Sequence, residues 1–198
     1  MLNIAVLISG SGSNLQRLID ECKNKNINGN IKLVISNKEN VYGLKRAKEE
    51  NIKNLYINDE EDIKNELKKE NIDLIVLAGF LKILSKDFIK EYKNKIINIH
   101  PSLIPSFCGK GYYGMKVHEA VIKKGVKISG ATVHFVNEIA DEGPIIMQKT
   151  VEVSTKDNKE SLAKKVLEVE HEILPYVVKK FCEGNIIINE DERVDIID

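Results

Sequence analysis

Short β-branched runs alternate along this chain with segments of helical periodicity, and that alternation narrows the fold more than any other feature. Residues 4–8, 33–36, 54–57, 74–78 and 96–99 read as strands, because they are brief, apolar and bounded by turn formers. Helical patterns lie between them. The first is the clearest: Leu15, Leu18, Ile19 and Cys22 recur at i, i+3, i+4 and i+7, with Ser13 or Asn14 placed to cap the start. Further helical segments are expected over residues 42–51 and 60–69. Strand, helix, strand in series requires right-handed crossovers and a parallel sheet, in which ligands collect beyond the carboxyl ends of the strands. From residue 129 the pattern changes to two β-rich segments, 129–136 and 144–153, separated by a loop over 137–143. A long helix over 158–182 follows, striped by Leu162, Val166, Val169, Ile173 and Val177 and interrupted by Pro175, where a kink is expected. The predicted architecture is α/β: a Rossmann-like, mostly parallel twisted sheet flanked by helices and extended by an antiparallel strand pair in the C-terminal part. A polar, acidic tail follows Asn189.

The 198 residues suffice for one such domain, and no composition break divides residues 1–198. Thirty basic residues balance thirty acidic ones and are spread over helix faces, with no basic stripe interleaved with aromatics, so no nucleic-acid partner is expected. Three cysteines, Cys22, Cys108 and Cys182, contain no Cys-x-x-Cys pair, which points to neither a disulfide framework nor a zinc site and suits a cytoplasmic setting. No apolar stretch reaches the roughly 20 residues needed to span a bilayer, so no membrane association is expected. Residues 2–8 lack a basic flank and a small-residue cleavage site and run straight into a glycine loop, as a strand does rather than a signal peptide.

Three constellations carry chemistry. Asn98-Ile99-His100-Pro101-Ser102 closes the fifth strand and sets a carboxamide and an imidazole two residues apart, on one side of the sheet. An amide donor for a developing oxyanion and a group that moves a proton are two requirements of acyl transfer. Ser9-Gly10-Ser11-Gly12-Ser13-Asn14 joins the first strand to the first helix, where outward-facing backbone amides suit phosphate. It lacks the Gly-Lys-Ser/Thr of a Walker loop. Leu15 stands where a dinucleotide fingerprint needs a small residue, and Asn37 where it needs an acid, so a phosphate monoester on a small substrate is favoured over NAD or ATP. A tight turn without a ligand is the plain alternative. Asp141, in the 137–143 loop, is a candidate to orient and charge-stabilise His100, but taken singly it reads first as a turn aspartate, with Gly143 two residues on, and spacing does not show that it meets His100. His134, within Thr132-Val133-His134-Phe135-Val136, reads equally as a core histidine or a catalytic one. His118 and His171 sit on helices beside Glu119 and Glu172 and complete no His-Glu-x-x-His, so no metal is expected. Glu170, at the margin of the long helix's apolar stripe, needs a partner if it faces inward, and a substrate amine is a candidate.

Together these motifs, with Val76-Leu77-Ala78-Gly79-Phe80-Leu81-Lys82-Ile83-Leu84 and Asp141-Glu142-Gly143-Pro144-Ile145-Ile146, resemble the phosphoribosylglycinamide formyltransferases, folate-dependent transformylases of purine synthesis. The likeness runs from residue 1 to about 188. It implies transfer of the formyl group of 10-formyltetrahydrofolate, a cosubstrate, to the primary amine of 5-phosphoribosylglycinamide, without a metal. It implies catalytic roles for Asn98, His100 and Asp141. Gly12, Ser13, Asn14 and Glu170 would bind the ribonucleotide; Leu81, Lys82, Ile83, Leu84, Asn98 and Ala140 would bind folate. Small-molecule substrates and a monomeric or homodimeric state go with it. One departure is visible: Glu60 stands where many relatives carry an arginine approaching the folate tail, with Lys64 nearby as a guess for its substitute. Formyltetrahydrofolate deformylases and methionyl-tRNA formyltransferases share the Asn-x-His-Pro-Ser element but carry extra domains for which the chain has no room. A non-catalytic phosphate-binding module would use the glycine loop alone. Ser106 to Gly114, with Gly109, Gly111 and Gly114, has the composition of a lid, or equally of a loose connection.

Overall fold

The computed structural model describes residues 1–197. Its elements run β1 (Leu2–Ile8), α1 (Ser13–Lys23), β2 (Gly29–Ser36), α2 (Tyr42–Glu49), β3 (Lys53–Tyr56), α3 (Glu60–Lys69), β4 (Leu74–Leu77), α4 (Lys86–Glu91), β5 (Ile96–His100), α5 (Met115–Lys124), β6 (Ile128–Phe135), β7 (Ile145–Glu152), α6 (Lys159–Cys182), β8 (Ile186–Ile188) and β9 (Val194–Ile196). Seven strands form one sheet in the order β3-β2-β1-β4-β5-β6-β7. The first five are parallel; β6 runs antiparallel to β5 and β7 to β6. The chain thus forms the expected Rossmann-like sheet with its antiparallel extension.

Period-two alternation along β1 divides the core between two faces. Ile4, Val6 and Ile8 pack with α1, α5 and α6, while Ala5 and Leu7 pack with Ile63 and Leu67 of α3 and Phe88 and Ile89 of α4. The α3/α4 layer extends only as far as β5. On β5, Ile97 and Ile99 face the first layer, so Asn98 and His100 face the side where the second layer ends. Directly opposite, His134 pairs with Asn98 and Thr132 with His100 across the β5–β6 ladder. Polar groups therefore replace apolar ones where helical cover stops.

The chain moves outward from β1 to β2 and β3, then returns to β1's other side at β4. This reversal opens a crevice at the carboxyl ends of β1 and β4. The glycine loop and the Gly79–Leu84 segment border that crevice. Ser9 ties them together: its hydroxyl donates to Asn37 Oδ1 at 2.6 Å and accepts from Leu81 N–H at 2.8 Å.

Several local expectations need correction. Neither Ser13 nor Asn14 caps α1; the cap is Gly12, in a left-handed conformation with no side-chain hydrogen bond. Asn14 has instead turned inward to α6. The six-residue α4 was not anticipated from periodicity, being shorter than two turns. The acidic tail is structured in part, since β9 pairs antiparallel with β8. Apart from these corrections, α6 runs on through Pro175 as one helix. Proline removes the N–H that would bond the carbonyl of His171, and Arg17 Nε donates to that carbonyl at 3.3 Å instead.

Candidate active site

Asn98, His100 and Asp141 meet at the end of β5. The Asp141 carboxylate lies between two imidazoles, 3.6 Å from His100 Nδ1 and 3.8 Å from His134 Nε2. Asp141 takes a left-handed φ of 60°, a conformation that Asp tolerates better than most residues. Just beyond it, on the way into β7, the loop passes against the end of β6, where a Cβ on Gly143 would lie 1.8 Å from the Phe135 carbonyl oxygen, so no side chain fits.

His134, left ambiguous by sequence, is the partner that orders Asn98. Its Nδ1 lies 2.8 Å from the Phe135 carbonyl, which can only accept, so Nδ1 carries the proton. Burial lowers the pKa of His134, outweighing the opposing Phe135 hydrogen bond and Asp141 charge, and the neutral ring then presents Nε2 as an acceptor. Asn98 Nδ2 lies 3.0 Å from it. This bond fixes the carboxamide plane and leaves the second N–H of Asn98 for another acceptor. The signal available in the sequence was alternation alone: His134 and Thr132 share a side, but their pairing with Asn98 and His100 is a matter of register.

His100 is buried. Its Nε2 lies 3.0 Å from the Phe107 carbonyl and its Nδ1 3.6 Å from Asp141 Oδ2. Phe107 belongs to the glycine-rich segment, and Gly109 N–H donates to Asp141 Oδ2 at 2.8 Å. The 106–114 segment is therefore tethered to both His100 and Asp141 rather than hanging free. Behind it, Thr132 Oγ1 accepts from Ile104 N–H at 3.1 Å and donates to the Ser102 carbonyl at 2.6 Å, holding the turn after β5. His118 of α5 is buried nearby; burial, with His100 adding to it, pushes its imidazole down to about 4, so it stays uncharged near neutrality.

A second cluster forms where α1 meets α6. Asn14 Nδ2 donates to Glu170 Oε2 at 2.7 Å, and both residues are buried. Burial raises the Glu170 carboxyl to about 7, with the Asn14 bond pulling the other way. Asn14 Oδ1 is buried without a hydrogen-bond partner, an acceptor waiting for a donor. Gly12 and Ser13 stand at the same helix start, and the Ser13 hydroxyl makes no hydrogen bond among the described residues. The family resemblance, not spacing, grouped Gly12, Ser13, Asn14 and Glu170, and the direct bond between Asn14 and Glu170 is visible only in the fold.

Leu81 and Ile83 are exposed apolar side chains beside β4, 47% and 72% accessible, while Leu84 is buried beneath them. Ile139, 57% accessible, and exposed Ala140 lie on the 137–143 loop. Glu138 of that loop pairs with Lys86 and Lys90 of α4 at 3.4 and 3.9 Å. Lys82 Nζ is held by the Asn58 carbonyl. Glu60 accepts from Ser85 N–H through both carboxylate oxygens at 3.2 Å, so it anchors the start of α4. Lys64, the guessed substitute, is buried over the Phe88 ring and paired with Glu61 at 2.8 Å and Glu91 at 3.6 Å. No set of three His, Cys, Asp or Glu side chains is arranged to hold a metal ion among the described residues, and no helix there is long and apolar enough to cross a membrane.

Residues 2–178 match the family model described as formyl transferase. A phosphoribosylglycinamide formyltransferase of Haemophilus influenzae is 42% identical over 200 residues, covering 96% of this chain and 92% of its own. The crystal structure of a phosphoribosylglycinamide formyltransferase from Anaplasma phagocytophilum superposes with a TM-score of 0.94 at 39% identity, covering 100% of this chain and 94% of the other. A formyltetrahydrofolate deformylase from Pseudomonas syringae superposes at 0.89 with 26% identity, and this chain covers 66% of it. With the strand order, the glycine loop and the Asn98–His100–Asp141 convergence already in place, these likenesses show that the chain belongs to the formyl transferase family.

Proposed function

We propose that this protein transfers the formyl group of 10-formyltetrahydrofolate to the primary amine of 5-phosphoribosylglycinamide. The observation that carries the reading is the meeting of Asn98, His100 and Asp141 at one strand end, with His134 fixing the Asn98 amide. In this reading the substrate amine attacks the formyl carbon, and the free N–H of Asn98 donates to the oxygen that becomes negative. The proton lost by the amine must reach N10 of the folate as the carbon–N10 bond breaks. His100 carries it, and Asp141 sustains the ring's charge while it does so. The family's use of formyltetrahydrofolate as cosubstrate supports this assignment, and no step calls for a metal.

Gly12, Ser13 and Asn14 take the phosphoribosyl group. Glu170 and the unpaired Asn14 Oδ1 receive N–H groups at the glycinamide end, which suits a buried acceptor pair. Leu81, Lys82, Ile83, Leu84 and Ala140 line the folate side with Asn98, the exposed apolar groups of this set meeting the pterin. Glu60, engaged by Ser85, makes no contact with the folate tail. The Ser106–Gly114 segment closes over the reacting atoms and keeps water away from them.

The test is to mix protein and 10-formyltetrahydrofolate with and without the ribonucleotide and follow the absorbance change as the formyl group leaves the folate. Signal that requires the ribonucleotide is the expected result. Equal signal without it would mean hydrolysis, the activity named for the P. syringae relative, and no signal in either would return the chain to a phosphate-binding module.

A further inference from the structure

The back of the glycine loop rests on α2. Gly43 N–H donates to the Gly10 carbonyl at 3.1 Å, and a Cβ on Gly12 would lie 2.7 Å from Gly43 Cα, so the two backbones touch. One turn further along α2, Arg46 reaches over the loop. Its Nε donates to the Ser11 carbonyl at 2.9 Å, its Nη1 donates to Gln16 Oε1 at 3.2 Å, and its guanidinium lies over the Tyr42 ring, 4.6 Å from the centroid. The chain has only three arginines, Arg17, Arg46 and Arg193, among its thirty basic residues. Arg17 is paired with Glu21 at 2.8 Å, whereas Arg46 has no acidic partner among the described residues. An arginine that spends two fork nitrogens on neutral oxygens and stacks on an aromatic ring is held in place with its charge uncompensated.

The position of that bond matters because of peptide geometry. In a trans peptide the C=O of one residue and the N–H of the next point in opposite directions. Pinning the Ser11 carbonyl toward Arg46 therefore turns the Gly12 N–H away from α2, to the open side of the loop. A loop that binds an anion has to present N–H groups to it and keep carbonyl oxygens back. From this arrangement we infer that Arg46 is the positioning residue of the phosphate loop: it sets the direction of the Gly12 amide and supplies a fixed positive charge behind it. Lysine has neither the fork nor the planar stacking face, so it retains charge without the orientation. The inference rests on the reading of Gly12–Asn14 as the phosphate site, and it adds a specificity determinant from outside that motif.

The experiment compares two amine substrates, 5-phosphoribosylglycinamide and its dephosphorylated riboside, in wild type, Arg46→Ala and Arg46→Lys, with inorganic phosphate as a competitive inhibitor. The measured quantity is phosphate preference, the ratio of kcat/KM for the two amines. Loss of one charge-assisted anchoring interaction is expected to lower that ratio about tenfold in Arg46→Ala and to raise the inhibition constant of phosphate by a similar factor. Arg46→Lys should fall between. A wild-type protein with no preference for the phosphorylated amine would remove the phosphate reading of the loop and this inference with it. A wild-type preference that survives in Arg46→Ala, or equal losses on both amines, would overturn the role of Arg46 alone. Thermal melting of both variants identifies simple unfolding, and Arg46→Lys keeps the comparison available if the alanine protein is too unstable to assay.

Discussion

The parallel half of the sheet, β3-β2-β1-β4, and its antiparallel end, β5-β6-β7, present their functional groups in different ways. At the carboxyl ends of β1 and β4 the groups read as binding substrate sit in loops or at a loop's exit: the Gly12 amide, Ser13 at the start of α1, and the Leu81–Leu84 segment tied back through Ser9. Each depends on a few neighbours in sequence and on one buttress behind it. At the antiparallel end the groups are side chains on different strands and loops, and their distances depend on pairing between residues more than thirty positions apart, Asn98 opposite His134 and His100 opposite Thr132. Loops suit holding a phosphate or an apolar ring, where several donors share the task. A paired ladder suits chemistry, where one N–H has to point at one oxygen.

If this division holds, damage at the antiparallel end should appear in kcat and damage at the parallel end in binding. Asn98→Ala is expected to have the largest effect, lowering kcat about 100- to 1000-fold through loss of the oxyanion donor, with the ribonucleotide KM little changed. Steady-state kinetics decide it, and near-normal turnover would break the comparison at its strongest point.

Glu170 is read as part of the binding side, and its signature is thermodynamic. Its carboxyl is raised to about 7 by burial, so the folded protein holds a proton that the unfolded chain releases near the ordinary carboxylate value of 4.5. Between those two values the native state binds more protons, and stability falls as pH rises; the full penalty is present above about 7 and absent well below 4.5. The difference across this window is on the order of 3 kcal/mol for the ligand-free protein. Urea unfolding of wild type and Glu170→Gln at several pH values should show this slope in wild type and lose it in the variant. Parallel curves for the two proteins would locate the titration elsewhere.

Asp141→Asn sharpens the comparison most finely. Asn accepts the left-handed backbone that Asp141 adopts and offers an oxygen to Gly109 N–H, so the fold and the tether of the 106–114 segment should persist. Only the charge beside His100 is removed. A fall in kcat of about 10- to 100-fold with an unchanged melting temperature is expected. A drop in melting temperature that tracks the activity loss would assign Asp141 a structural role instead.

Much of the parallel half was legible because its determinants are local. Ile4 to Ile8 alternate between two faces wherever the strand is placed, and the glycine loop that follows must turn into a helix. Even there, tertiary contact prevailed in detail: α1 starts after Gly12, which has no side chain to cap it, and Asn14, inside the first turn, bonds to Glu170. Lys64 is only a guess by sequence, and Phe88, Glu61 and Glu91 surround it. The acidic tail reads as polar and irregular because a three-residue strand such as β9 has too few positions to show a period.

By itself the sequence determined which residue types stand at the strand ends and loops, and which side of the sheet each strand residue faces, since side-chain direction alternates with a fixed period of two. It did not determine who meets whom. Only the tertiary structure set the β5–β6 register that gives Asn98 its His134 partner, and the left-handed turn that brings Asp141 between His100 and His134. Only it placed Arg46 behind Ser11. Register and loop closure are decided by the packing of the whole sheet, because a slip of one residue would exchange the apolar and polar faces of β5 and β6 together.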